Sequence, residues 1–282
     1  MRFARRGVDG SERLIVEFDG EGYIVPAELG DLNGRFLEDG GLERLAGMDA
    51  STFTPYDLTG DERWAAPIAT PGKVVCVGLN YRDHAAETGA AIPAEPVVFM
   101  KDPATVVGPF DDVLIPRASV KTDWEVELGV VIGRTARYLD SVESAADCIA
   151  GYVLSHDVSE REFQLERGGQ WDKGKSCETF NPCGPWFVPA SGIGDPQALR
   201  LWASVNGEMR QEGTTADMVF SVHEIVRYLS QFMVLRPGDL INTGTPAGVA
   251  LGMPTPEYLR EGDVVELGID GLGTARQRMV QA

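Results

Sequence analysis

Trp124-Glu-Val-Glu-Leu-Gly-Val-Val-Ile-Gly133 reads as a β-strand. Side chains alternate along a strand, so Glu125 and Glu127 share one face while Trp124, Val126 and Leu128 share the other. A second apolar run, residues 149–154, ends in Ser155-His156-Asp157 and can bring a third carboxylate to the same place from the next strand. Three converging carboxylates offer hard oxygen donors, the ligand set of a divalent cation such as Mg²⁺ or Mn²⁺. A Glu-X-Glu pair alone is more often the solvated face of an antiparallel sheet. The case for a metal site rests on the rest of the chain.

Working outward, short β-branched runs recur at 74–77, 96–100, 113–115, 201–205, 239–242 and 264–269, as expected of strands. Helical periodicity is confined to 142–148 and 222–232, where Val222, Ile225, Val226 and Leu229 make an apolar stripe. The pattern predicts an α+β, β-dominated fold rather than alternating βα units. Residues 1–68 read as a small β-rich N-terminal domain with a loop-like stretch over 52–64, and residues 69–282 as the larger core domain. Leu235-Arg-Pro-Gly-Asp239 and Leu259-Arg-Glu-Gly-Asp263 look like one turn-into-strand device used twice, with Gly238 and Gly262 supplying backbone freedom.

Composition limits the function classes. The 282 residues are 43% hydrophobic and 24% charged, and no apolar stretch is long enough for a membrane span or a signal peptide, so a cytoplasmic protein is expected. A net charge of −18 repels nucleic acid and anionic membranes. An anionic small substrate then needs local positive charge, and Lys173 and Lys175, either side of Gly174, are the place to seek it. Cys76, Cys148, Cys177 and Cys183 show no C-x-x-C spacing and are expected to be reduced.

Gly169-Gln-Trp-Asp-Lys-Gly-Lys-Ser176 fits the P-loop pattern letter for letter. Its context does not: a polar, helix-like stretch precedes it and Pro182 and Pro185 follow, where a P-loop needs a buried strand and then a helix.

Gly78-Leu-Asn-Tyr-Arg-Asp-His84-Ala-Ala-Glu87 follows the first strand of the larger domain. On a helical turn His84 and Glu87 share a face, so the carboxylate can orient the imidazole as a base. These blocks, together with Glu-x-Glu-Leu-Gly-Val-Val-Ile-Gly, Asp157-Val-Ser-x-Arg161, Gly174-Lys-Ser, Asn206-Gly-Glu-x-Arg-Gln211 and Thr243-Gly-Thr-Pro-x-Gly-Val249, stand in the order of the fumarylacetoacetate hydrolase family, which the chain resembles from about residue 73 to its end.

That resemblance implies a mixed β-sheet roll, usually a homodimer, with Glu125, Glu127 and Asp157 as ligands of Mg²⁺ or Mn²⁺. It implies a catalytic dyad of His84 and Glu87 on a mobile lid, Lys175 beside an oxygen that gains charge, and substrate-binding roles for Arg161, Gln164 and Thr245. His156 and His223 are expected to be structural. The implied reaction is hydrolysis of the C3–C4 bond of a 2,4-dioxo acid, releasing pyruvate and a carboxylic acid. The stretch 171–185 is most similar to the bacterial branch acting on 2,4-diketo-3-deoxy sugar acids, whose other product is lactate. Acylpyruvate hydrolysis, oxaloacetate decarboxylation and 2-oxo acid isomerisation use the same residues, and a metal-binding module without chemistry is a further alternative.

Overall fold

The computed structural model describes residues 1–282, the side chain of Ser51 excepted. Its centre is the strand Val126–Ile132, buried along its whole length. It pairs antiparallel with Ile149–His156 on one side, Glu127 opposite Ser155 and Leu128 opposite Leu154, and with Leu240–Asn242 on the other. Leu240–Asn242 lies parallel to Val74–Gly78, which carries Val97–Lys101 at its outer edge. Beyond Ile149–His156 come Asn181–Pro189 and then Arg2–Arg6, so the N-terminal strands continue the same twelve-stranded sheet.

A five-stranded sheet packs on one face of it, in the order Glu208–Thr214, Arg200–Val205, Val264–Ile269, Gly273–Gln281 and Val113–Ile115. Val126, Leu128 and Val130 face this second sheet and share a core with Leu201, Ala203, Leu267 and Met279. Val131 faces the other way, into a core with Val153, Leu240, Phe3 and Phe36. The expected alternation is therefore present, but neither face meets water. Each large apolar side chain so buried contributes ~1.5–3 kcal/mol, which favours this register over a one-residue slip.

The helix Val222–Leu229 buries all four residues of its expected stripe and starts on a capping box, with Ser221 N–H donating to Glu224 Oε2 at 2.8 Å. The two Arg-x-Gly-Asp turns are alike: Gly238 and Gly262 have φ of +83° and +89°, and Asp239 and Asp263 accept from the N–H of Arg236 and Arg260. The P-loop-like stretch is preceded by the helix Arg161–Leu165 rather than by a strand, and forms the short helix Asp172–Lys175. All four cysteines are free. Among the described residues no helix is long and apolar enough to cross a membrane.

Three departures have physical causes. Asn181–Pro189 is a nine-residue interior strand despite three prolines. Its register against Ile149–His156 shifts between Val153 and Ser155, an irregularity that accommodates residues lacking an N–H. Glu208–Thr214 and Gly273–Gln281 are strands that polar composition concealed. The stretch 52–64, expected as loop, contains the strand Thr54–Tyr56, which pairs with Glu21–Ile24.

Candidate metal centre and catalytic dyad

Glu125 sits just before the strand Val126–Ile132, Glu127 within it, and Asp157 just after Ile149–His156, so antiparallel pairing brings all three to one end of the sheet. The Asp157 N–H donates to the Glu125 carbonyl at 3.0 Å. All three residues are buried, and one carboxylate oxygen from each lies within 4.8 Å of the others. Below them a closed ring of hydrogen bonds ties three strands together. Ser155 Oγ donates to Asn242 Oδ1 at 2.8 Å, Asn242 Nδ2 to Asn181 Oδ1 at 2.8 Å, and Asn181 Nδ2 to Ser155 Oγ at 3.1 Å.

The cations are arranged unevenly around the carboxylates. Lys175 Nζ lies 2.7 Å from Glu125 Oε2 and 2.8 Å from Asp157 Oδ2. Gly174 makes this approach possible, since a Cβ there would fall 2.3 Å from the Glu160 carbonyl oxygen. Lys101 Nζ pairs with Asp157 Oδ1 at 2.5 Å. Arg161 donates to Glu125 Oε1 at 2.7 Å, Asp123 Oδ2 at 2.8 Å and Gln164 Oε1 at 3.1 Å. Glu127 accepts the Gly244 N–H at 2.8 Å and has no ion pair among the described residues.

Burial would raise the Glu125 carboxyl, but Lys175 and Arg161 together hold it well below the usual range. Glu127 goes the other way: burial, then repulsion from Asp157 and Glu125, pushes it well up. An all-oxygen donor set with one uncompensated member, and an ammonium bridging the other two, fits a hard divalent cation.

The dyad forms at the neighbouring wall. In the helix Arg82–Glu87, His84 Nδ1 is 2.7 Å from Glu87 Oε1, and Glu87 Oε2 accepts the Gly248 N–H at 2.9 Å. With the imidazole neutral, Nδ1–H donates to the carboxylate and Nε2 is left as the base. Gly252 packs directly on this contact, because a Cβ there would lie 2.5 Å from Glu87 Cδ. Asp123 holds the same loop by accepting from the N–H groups of Ala250 and Leu251. His84, Glu125, Glu127, Arg161, Gln164, Lys175 and Thr245 all line one cavity of about 200 Å³.

Two expected substrate contacts are occupied by the protein itself. The Thr245 hydroxyl donates to the Val126 carbonyl at 2.9 Å and accepts from Gln211 Nε2 at 2.7 Å. Thr245 thus lines the cavity while its hydroxyl joins two strands. Arg161 gives its Nε and one Nη2 proton to Asp123 and Glu125 and an Nη1 proton to Gln164, so it is first an anchor for Glu125. Gln164 accepts from Arg161 through its oxygen, and its amide nitrogen has no hydrogen bond among the described residues. His156 is structural, as expected: buried, with Nδ1 on Gln277 Oε1 at 3.0 Å, and pushed down to about 3 by burial despite that hydrogen bond. His223 lies on the helix Val222–Leu229. Lys101, Asp123 and Gly244 were not anticipated, although Lys101 ends an apolar strand run as Asp157 does.

Residues 73–280 match the family described as fumarylacetoacetate (FAA) hydrolase C-terminal. A relative from Burkholderia ambifaria, carrying only the provisional name of hydrolase, is 50% identical over 279 residues, 98% of each chain. The structure of 2-hydroxyhepta-2,4-diene-1,7-dioate isomerase from Mycobacterium marinum is 33% identical, covers 100% of this chain and 98% of its own, and has a TM-score of 0.74. Maleylpyruvate hydrolase from Sphingobium sp. SYK-6 is 29% identical over the whole of both chains, with a TM-score of 0.82.

Proposed function

The chain belongs to the fumarylacetoacetate hydrolase family, and on that premise we propose that it hydrolyses the C3–C4 bond of a 2,4-dioxo acid to pyruvate and a carboxylic acid. The observation that supports this reading is that His84, held by Glu87 at 2.7 Å, lines the same cavity as the carboxylates Glu125 and Glu127. Glu125, Glu127 and Asp157 would hold Mg²⁺ or Mn²⁺, which when bound supplies Lewis-acid polarisation of the 2-oxo acid end and stabilises enolate charge.

His84 Nε2 takes a proton from water, and the Glu87 carboxylate stabilises the imidazolium that forms. The hydroxide adds to C4. Collapse of the tetrahedral adduct breaks C3–C4, its electron pair passing to C3 as the enolate of pyruvate. The imidazolium proton then goes to C3. One water is consumed, its hydroxyl on the acid and its hydrogen on the new methyl group. Lys175, buried and held protonated by Asp157 and Glu125 against the opposing effect of burial, keeps positive charge beside the enolate oxygen. The Gln164 amide nitrogen would donate to the substrate carboxylate, a role supported by its residue lining the cavity with its oxygen turned to Arg161.

The test is incubation with Mg²⁺ and a panel of 2,4-dioxo acids and oxaloacetate, quantifying pyruvate and its partner product with wild type, His84→Ala and Glu125→Ala. Equimolar pyruvate and acid, lost in both variants, upholds the reading. Pyruvate from oxaloacetate alone, surviving His84→Ala but not Glu125→Ala, makes the protein a decarboxylase. Isomerisation without cleavage would align it with the isomerase it is similar to. A family-like homodimer is part of the same proposal and is read by light scattering.

A further inference from the structure

The cavity is polar at its floor and apolar on its walls. Glu125, Glu127 and Lys175 form the buried floor, while Phe99, Trp171, Leu165 and Leu251 rise around it, and Leu165 at the mouth is 43% exposed. The Phe99 and Trp171 rings pack with centroids 5.4 Å apart. Gly78 lets the indole lie there, since a Cβ on it would fall 2.7 Å from Trp171 Cζ3. Trp171 belongs to the P-loop-like stretch, which thus supplies both a wall residue and, through Lys175, the floor.

Positive charge for a second carboxylate is missing from this surface. Besides His84, which the reaction uses as base, Lys175 and Arg161 are the basic residues among the described lining, and each already serves two carboxylates. The hydroxyl protons of the lining are committed as well: Thr88 donates to the His84 carbonyl at 3.0 Å, and Thr245 donates to the Val126 carbonyl while accepting from Gln211. A carboxylated or polyhydroxylated tail placed against these walls loses its hydration without compensation.

We infer that the acyl group beyond C4 is a hydrocarbon, so that the substrate is an acylpyruvate with an apolar tail rather than a sugar acid or a dioate. The inference rests on the proposed reaction only in assigning the 2-oxo acid end to the floor. Each methylene buried against such a wall multiplies affinity about fourfold.

The experiment compares kcat/KM with Mg²⁺ for acetylpyruvate, pentanoylpyruvate, succinylpyruvate and 2,4-diketo-3-deoxy-L-fuconate. Pentanoylpyruvate is expected to exceed each of the others by tenfold or more. Trp171→Ala, and independently Leu165→Ala at the exposed mouth, reduces the pentanoyl-to-acetyl ratio to within about threefold. A preference for the succinyl or sugar-acid substrate overturns the inference while leaving the hydrolase reading intact. If no dioxo acid is cleaved, the hydrolase reading fails by itself, and the tail is read by calorimetry with inert 2-oxo acids in Mg²⁺. Tenfold tighter binding of 2-oxoheptanoate than of 2-oxoglutarate upholds the apolar wall. No difference, or the reverse order, overturns it.

Discussion

Glu87 holds the backbone N–H of Gly248 at 2.9 Å with one carboxylate oxygen while the other holds His84 at 2.7 Å. The orientation of the base is therefore set by a loop more than 160 residues away in sequence, and that loop is fixed in turn by Asp123 and by the Trp124 indole N–H on the Gly248 carbonyl. Glu87→Gln keeps the size of the side chain but withdraws the charge that stabilises the imidazolium. We expect kcat to fall by ~10²-fold or more with KM little changed, measured by steady-state kinetics on a cleaved dioxo acid.

Gly252→Ala places a methyl group within 2.6 Å of Glu87 Oε2. The carboxylate end gives way more readily than the surrounding backbone, so the dyad loses its alignment while the fold persists. A loss of up to about 10²-fold in kcat is expected, with far-ultraviolet circular dichroism unchanged. Equal activity in the variant would show that Glu87 does not set the rate.

Lys175→Met removes the ammonium between Glu125 and Asp157, leaving Glu125 to Arg161, Asp157 to Lys101, and three buried carboxylates with one cation fewer. In EDTA the variant should be destabilised by about 3–5 kcal/mol. Mg²⁺ should restore more of its Tm than it adds to wild type, because the cation then supplies the charge that the lysine had supplied. Scanning fluorimetry with and without Mg²⁺ reads both effects.

His156 lies buried with its pKa lowered to about 3, whereas the unfolded chain returns it to the ordinary value of 6.5. A depressed folded-state pKa means that the unfolded state binds the proton first. Its contribution to stability is complete above pH 6.5 and is lost as the pH falls from there toward 3, with a slope approaching about 1.4 kcal/mol per pH unit. His156→Gln should flatten urea-denaturation stability between pH 6 and pH 5 relative to wild type.

What could be read from the sequence followed what is local. Val126–Ile132 announced itself because apolar alternation survives burial on both faces, and the stripe of Val222–Leu229 because its capping box and period agree. Asn181–Pro189 was hidden because prolines signal a break, and the neighbouring strand that accommodates them is distant in sequence. Gly273–Gln281 was hidden because one of its inward residues is Gln277, whose partners, His156 and the Pro109 carbonyl, are known only from the fold. The convergence of Glu125, Glu127 and Asp157 and the pairing of His84 with Glu87 were legible through spacing. Lys101 was not, since nothing in a strand's sequence says which carboxylate its last residue will meet. The commitments of Thr245 and Arg161 are likewise tertiary facts.

The ring of Asn181, Ser155 and Asn242 reaches across the central strand Val126–Ile132 and fastens three strands under the carboxylates with buried side-chain bonds. Adaptation to a new substrate is thereby directed elsewhere: a change at Leu165 or Trp171 alters what enters, whereas a change in the ring leaves polar atoms stranded in the sheet. Lineages descended from such an ancestor can diversify at the rim while inheriting the floor untouched.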